Sequence, residues 1–340
     1  MDKLMLLGGG KIGHAIATMM AATGDYELTV ADKDASSLKR LPKSRVTPIE
    51  LDVSDKAAVA KAMRGHKYAL SAMPYHLTPI VAGAAKEAGA HYFDLTEDVE
   101  STRVVKQLAK GADTAFVPQC GLAPGFISIV ANDVAKKFDA LREVKMRVGA
   151  LPVYPTNALK YNLTWSTDGL INEYCNPCEA IVDGKLREVP ALEEMEHFSL
   201  DGIDYEAFNT SGGLGTLCET LEGKVEDLNY KTVRYPGHRD IMKDVLEASI
   251  PITFQDVVLV FVSVSGMRDG RLTQESYSKK VYAANVHGEL MSAIQITTAA
   301  GICAMVDLMR AGKLPQKGFV RQEQAHLADF LANRFGRHYA

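Results

Sequence analysis

Lys3-Leu4-Met5-Leu6-Leu7-Gly8-Gly9-Gly10-Lys11-Ile12-Gly13 runs from a short apolar strand through a glycine turn into a helical apolar pattern that begins at Ile12. A second strand-like run, Tyr26 to Ala31, ends at Asp32, nineteen residues beyond Gly13. Strand, glycine turn, helix, strand and acid in this order form a dinucleotide-binding fingerprint. Gly8 permits the tight turn, Gly10 lets a pyrophosphate approach the backbone, and Gly13 lets helix and strand pack closely. The free N–H groups and positive end of the helix attract phosphate. Asp32 can accept from ribose hydroxyls and would repel a 2′-phosphate, so NAD is the expected cofactor. NADP stays open because Lys33 and Arg40 lie close by in sequence.

Working outward, the first 118 residues alternate strand and helix. Strands are expected at Val46–Leu51, Tyr68–Ala72, Tyr92–Leu95 and Thr114–Val117. Helices are expected at Asp55–Met63, with Ser54 or Asp55 as cap, at Leu77–Ala88 and at Glu97–Gly111. Six short strands separated by helices imply an α/β Rossmann fold with a doubly wound parallel sheet. Ligands in such sheets lie beyond the carboxyl ends of the strands. That rule selects Gly8 to Gly13, Asp32, Asp52-Val53, Ala72-Met73-Pro74 and Asp94 to Asp98 as one rim.

After Gly121-Leu122-Ala123-Pro124-Gly125 the pattern changes. A helix over Ile127–Phe138 leads into β-type runs at Val144–Gly149, Leu159–Thr164, Tyr205–Asn209 and Tyr230–Tyr235. Two more, Val257–Ser265 and Leu272–Ala283, flank Asp269-Gly270, a hairpin turn. A second α+β domain with a large, mainly antiparallel sheet follows. Helices are expected at Ile294–Met309, which should return to the nucleotide domain, and at Gln322–Phe335. The expected division is 1–120 for dinucleotide binding, 121–286 for substrate binding and dimerisation, and 287–340 for the returning helices.

Composition narrows the function. A length of 340 residues, 47% of them apolar, suffices for a sizeable core, and a net charge of −4 provides no basic field for nucleic acid. The start runs straight into a strand, so no signal peptide is expected, and no apolar run reaches the roughly 18 residues of a membrane span. Five cysteines without a framework fit a reducing, cytoplasmic setting. Cys175 and Cys178 form an isolated CxxC that reads as structural, and the nine histidines are dispersed, so no metal is expected. There is no G-x-S-x-G elbow for a serine hydrolase. A homodimer is the default assembly.

At this point the sequence resembles the saccharopine dehydrogenase and L-lysine dehydrogenase family over most of its length. The carriers are the glycine turn, Met73-Pro74-Tyr75-His76-Leu77, Phe93-Asp94-Leu95-Thr96-Glu97-Asp98 and Gly121-Leu122-Ala123-Pro124-Gly125. In the second half they are Tyr161-Asn162-Leu163-Thr164-Trp165-Ser166 with Gly169, and Arg234-Tyr235-Pro236-Gly237-His238. The Pro-Tyr-His-Leu segment and the short length look more like the lysine 6-dehydrogenase branch. The resemblance implies NAD(P)-dependent oxidation of a C–N bond at an amino acid's side-chain nitrogen. Saccharopine enzymes commonly carry arginine in the Trp-Ser-x-x-Gly segment; Asp168 stands there instead, which suits a substrate amine better than an extra carboxylate.

Hydride leaves carbon only if nitrogen donates electrons, yet a lysine ammonium, with a pKa of about 10.4, must first lose a proton. His76, Asp94 and Glu97 are the candidate catalytic groups at the strand ends, His76 because imidazole titrates near neutrality. The alternatives are an exposed helix-start histidine and acids that merely serve a helix N-terminus. Arg234 is the candidate partner of a substrate carboxylate, with Tyr235 and His238 in the same motif, against the alternative of a surface ion pair. Tyr75, Trp165 and Thr210 are further candidates to line the substrate pocket. Trp165 can equally serve the core or a domain interface, and Thr210 belongs to a glycine-rich stretch, Asn209 to Gly215, that can be a loop or an anion nest. Lys11, Ile12, Met73, Pro74 and Leu122 join the cofactor set through their motifs. Saccharopine oxidation to L-glutamate and a non-catalytic NAD-binding regulator are the competing functions.

Overall fold

The computed structural model describes residues 1–162, 167–244 and 256–340, the side chains of Thr167, Asp168 and Asp244 excepted. The protein begins with β1 (Asp2–Leu7), α1 (Lys11–Thr23), β2 (Tyr26–Asp32), α2 (Ala35–Lys39), β3 (Val46–Glu50), α3 (Lys56–Met63) and β4 (Tyr68–Ser71). It continues with α4 (Thr78–Ala88), β5 (His91–Asp94), α5 (Val99–Ala109), β6 (Ala115–Val117), α6 (Ile127–Ala135), β7 (Ala140–Pro152) and α7 (Thr167–Cys175). Next come β8 (Cys178–Val182), β9 (Lys185–Val189), β10 (Glu196–Leu200), β11 (Ile203–Asn209), α8 (Leu217–Leu221), β12 (Val225–Arg234) and α9 (His238–Asp244). Last are β13 (Asp256–Arg268), β14 (Arg271–Tyr282), β15 (Ala284–Val286), β16 (Glu289–Met291), α10 (Ala293–Arg310), β17 (Gly318–Phe319) and α11 (Leu327–Ala332).

The first sheet has the order β17-β6-β5-β4-β1-β2-β3, and every pair in it is parallel. Both of its faces are covered, so its central strands read as unbroken apolar runs: Leu4 to Leu7 are fully buried. All six strands expected from the sequence are present. The seventh, β17, consists of Gly318-Phe319 and pairs with β6, too short a segment to carry a pattern. The fold winds outward from β1 in one direction through β2 and β3, and in the other through β4 to β6. The crevice between β1 and β4 is therefore the topological switch point.

The second sheet runs β10-β11-β12-β7-β13-β14, with β8 joining β12 and β9 pairing β8. All its pairs are antiparallel except β12 with β7. Asp269 and Gly270, at φ 52° and 71°, make the left-handed two-residue turn between β13 and β14 that their sequence predicts. The strand expected at Leu159–Thr164 is a correction. Leu159 to Asn162 form no strand, because the Asn157 side chain gathers the segment into a turn, donating to Tyr161 O at 2.9 Å. Leu163 and Thr164 lie outside the described residues.

The long helix α10 packs against α1 on one side and β13 on the other. Tyr26 Oη, at the start of β2, donates to Asp307 of α10 at 2.8 Å. Its start is fixed twice. Ser292 and Gln295 form a capping box, and the buried Asp256 carboxylate accepts from the N–H groups of Ala293 and Ile294, the latter at 3.0 Å. By length and composition alone α10, at 18 residues, could cross a membrane, but 83% of it is buried inside the fold, as in the core helix of a globular protein. The helix expected over Gln322–Phe335 is broken into a 3₁₀ turn at Gln322–Gln324 and the short α11. Tertiary anchoring overrides the local pattern there. Gln322 Nε2 donates to Pro118 O at 2.7 Å, and Thr216 Oγ1 donates to the buried Glu323 carboxylate at 3.0 Å.

Candidate active site

The glycine turn sits where the fold rule puts it, between β1 and α1. A methyl group on Gly13 would come within 1.8 Å of Gly8 O, so only glycine allows this helix to start so close to the strand. At Gly10 the same test meets nothing within 4 Å, and the space opens into a cleft. Asp32 closes the cradle at the end of β2: its Oδ2 accepts from Gly9 N at 2.7 Å and its Oδ1 from Asp34 N at 2.8 Å. A carboxylate held in this way beside an open turn fits the ribose and diphosphate of a dinucleotide.

The cleft, of about 430 Å³, lies between the carboxyl ends of the first sheet and one face of the second. Gly10, Lys11, Ile12 and Gly13 form its floor. Ala72, Met73, Pro74, Tyr75 and His76 follow β4 along one wall, and Glu97 and Leu122 follow β5 and β6. All of these were expected from the sequence.

The opposite wall follows from strand and helix periodicity. Tyr230, Thr232 and Arg234 alternate along β12, so all three face the cleft. Gly169, Asn172 and Glu173 lie three and four apart on α7 and share one helix face. Neither Glu173 nor Tyr230 belongs to a recognisable motif, and neither was expected from the sequence. Period-two spacing from Arg234 was the available signal for Tyr230 and Thr232.

Glu173 and Glu97 both line the cleft, close enough for each carboxyl to act on the other. Burial drives both carboxyls above the ordinary range, and the Glu173 charge pushes Glu97 further up. Two buried carboxyls this close disfavour a double negative charge, which favours one proton shared between them.

Arg234 is buried close by. Its Nε donates to Tyr174 Oη at 2.9 Å and its Nη1 to Val233 O at 2.8 Å, while the guanidinium lies 4.6 Å from the ring centre of Tyr161. Among the described residues Nη2 makes no hydrogen bond, and it belongs to a side chain that lines the cleft. His238 completes the support. Its Nδ1–H donates to Leu159 O at 2.8 Å, so Nε2 accepts from Tyr174 Oη at 3.1 Å. Burial, with the Arg234 charge behind Tyr174, pulls the His238 pKa down to about 3, which keeps the ring neutral. The histidine therefore orients Arg234 through Tyr174 and does not line the cleft.

Other expected residues lie elsewhere. Tyr235, next to Arg234 in sequence, points to the opposite side, where its hydroxyl donates to Pro152 O at 2.9 Å and its ring stacks on Tyr205. Asp94 is buried behind the cleft wall, accepting from Tyr92 Oη at 2.8 Å, Gln119 N at 2.9 Å and Thr96 N at 3.0 Å. Burial raises its pKa to about 6 despite these donors. Asp52 holds Ser54 N at 2.9 Å on an exposed turn, and Val53 is buried in the core beneath it. Gly8 lies beneath the turn, and Thr210 faces a separate chamber behind Glu97. Trp165 lies outside the described residues, as does the Asp168 side chain.

Comparison with known proteins yields two family matches. Residues 4–116 match the saccharopine dehydrogenase NADP binding domain, and residues 121–250 match the saccharopine dehydrogenase C-terminal domain. Among curated proteins, the L-glutamate-forming, NADP(+) saccharopine dehydrogenase of Schizosaccharomyces pombe is 26% identical over 206 residues, 58% of this chain and 45% of that protein. The mitochondrial alpha-aminoadipic semialdehyde synthase of Mus musculus is 25% identical over 254 residues, 69% of this chain and 27% of that one. The match thus spans about half or less of the length of these relatives. Among solved structures, apo saccharopine dehydrogenase (L-Glu forming) from Saccharomyces cerevisiae superposes with a TM-score of 0.78 at 16% identity, covering 95% of this chain and 94% of that one. The homospermidine synthase of Legionella pneumophila, solved with NAD, gives 0.73 at 14% identity, covering 99% and 89%. At such identities these structures establish a shared fold.

Proposed function

Because this chain belongs to the saccharopine dehydrogenase family, we propose that it is an NAD(P)-dependent oxidoreductase that acts on the C–N bond at an amino acid's side-chain nitrogen, converting L-lysine to the 6-semialdehyde, which cyclises, with release of ammonia. The charge make-up of the cleft carries the choice of lysine. Among the described residues, three acids, Glu97, Asp98 and Glu173, line it, against two cations, Lys11 and Arg234. Lys11 belongs to the phosphate turn, which leaves Arg234 for one substrate carboxylate and the acid pair for an ammonium. Saccharopine brings three carboxylates and would need more cations than that.

The protein's own groups then act as follows. Arg234, aimed by Tyr174 and His238, takes the α-carboxylate through its uncommitted Nη2. The Glu97–Glu173 pair, with one negative charge, takes a proton from the substrate ammonium and leaves the nitrogen lone pair free to drive hydride from the adjacent carbon. His76 stands at the exposed rim, where it can contact substrate. Bound NAD(P) supplies the hydride acceptor. Asp32, with both oxygens anchored, favours NAD. The division into 1–120, 121–286 and 287–340, a homodimer and a cytoplasmic setting belong to the same proposal.

Lysine with NAD should give rising reduced-nicotinamide absorbance, and none at high enzyme concentration would overturn the lysine assignment. Saccharopine oxidation is favoured by the names of the curated relatives, and turnover of saccharopine far above lysine would select it. Asp32→Ala should weaken NAD binding more than NADP binding. Equal losses in titration would remove Asp32 from the ribose site.

A further inference from the structure

Behind the cleft wall lies a second chamber of about 80 Å³, and Glu97 and Tyr230 line both spaces. On its far side Thr102, Thr210 and Gln119 line it, and its rim carries Lys106, which holds the partly exposed Glu219 at 2.6 Å. The glycine-rich segment after Asn209 forms the back of this chamber. Gly213 lies flat against Tyr230, where a methyl group would come within 2.2 Å of the ring. This segment is a packed wall, not a flexible loop or a cradle for anions.

Two observations point to water in the chamber. Thr210 Oγ1 is buried and has no hydrogen-bond partner, and such a group in a polar space large enough for several waters is met by one. Gln119 Nε2 donates to Thr102 Oγ1 at 3.3 Å, so a polar path already runs along the chamber's side.

We propose that the chamber is a water-filled conduit through which the Glu97–Glu173 pair returns its proton to bulk solvent, on the side away from the substrate. This rests on the pair acting as proton acceptor in the reaction above. The balance is simple. The substrate ammonium gives one proton to the pair, which becomes neutral, and the substrate carbon gives hydride to the oxidised cofactor. One proton then passes from Glu97 through the chamber waters, and the pair regains its single negative charge. No further oxidant or base is required.

The test reads the pair directly, without turnover. In the intact enzyme with reduced cofactor bound, the protonated carboxyl gives an infrared C=O band that Glu97→Gln should abolish or shift. On mixing with heavy water, the band's isotope shift reports proton exchange. Thr210→Val, of equal size but without the hydroxyl, should slow that exchange at least about tenfold, with Thr210→Ser restoring it. Thr102→Val, which removes the hydroxyl that Gln119 reaches in the same chamber, should slow it in the same direction and serves if Thr210→Val fails to fold. Both valine variants should leave KM for the substrate near the wild-type value while lowering kcat and raising its solvent isotope effect. Exchange as fast as wild type in the valine variants would overturn the conduit, as would the absence of any carboxyl band sensitive to Glu97. Lack of lysine turnover in wild type, with exchange still slowed in Thr210→Val, would instead strike the substrate assignment and leave the conduit standing.

Discussion

Residue chemistry was legible in this sequence where a motif fixed the backbone and opaque where a side chain acts through packing. Glu97 and Arg234 were found because one follows a strand end and the other precedes a Pro-Gly turn. Glu173 was not, since only the fold brings α7 to the cleft beside the segment that follows β5, and Tyr235 was misplaced because neighbouring residues of an extended segment face opposite ways. Asp94 shows the limit of strand-end reasoning: the residue is where it was expected, but its carboxyl is spent on its own strand and on Gln119. Its folded pKa of about 6 stands above the 3.8 of an unfolded aspartate because burial disfavours the charge. Between those values the native protein binds more protons than the unfolded one. The stability Asp94 contributes is thus complete below about pH 4 and is lost as pH rises to about 6. Asp94→Asn cannot titrate and keeps donors and acceptors of similar shape. Denaturant melts should show wild type losing about 3 kcal/mol relative to this variant between pH 4 and pH 7. A constant difference across that range would mean that the site is ionised throughout.

Elements were legible when their pattern was long or their caps were local. The βα alternation of the first half and the β13–β14 hairpin follow from apolar runs and from Asp269-Gly270. β17 was too short to show, and the pattern of Gln322–Phe335 lost to anchors on distant residues, Pro118 and Thr216. The start of α10 combines both kinds of signal. Ser292 and Gln295 make a capping box readable from the sequence, whereas Asp256 reaches the same helix end from β13, 37 residues away from Ala293. An acid accepting two N–H groups at a helix N-terminus is stabilising through both hydrogen bonds and the helix dipole. Asp256→Ala should therefore cost about 1–3 kcal/mol in chemical denaturation, because two buried donors lose their acceptor. Asp256→Asn, which retains one acceptor oxygen, should cost less. If alanine proves as stable as wild type, the capping box alone holds the helix.

At the scale of the whole molecule, the two sheets are not independent bodies joined by a linker. A single apolar core runs from Leu6 and Val30 in the first sheet, through Ile302 and Met305 of α10, to Val258 and Val262 in the second. Opening either half would expose α10 to water at roughly 25 cal/mol for each Å² of apolar surface, a penalty that couples the halves. The protein should consequently unfold in one transition, with calorimetric and van't Hoff enthalpies in agreement, although two family domains divide its sequence. Cofactor sharpens the test. If NAD binds at the β1–α1 turn of a single cooperative unit, saturation to a hundredfold above its dissociation constant adds about 2.7 kcal/mol to the entire transition. Were the halves separable, NAD would move only the part belonging to the first sheet and leave a second, unshifted melt. Near-ultraviolet circular dichroism and calorimetry, run with and without NAD, distinguish these outcomes, and two resolved transitions would show that α10 belongs to one half alone.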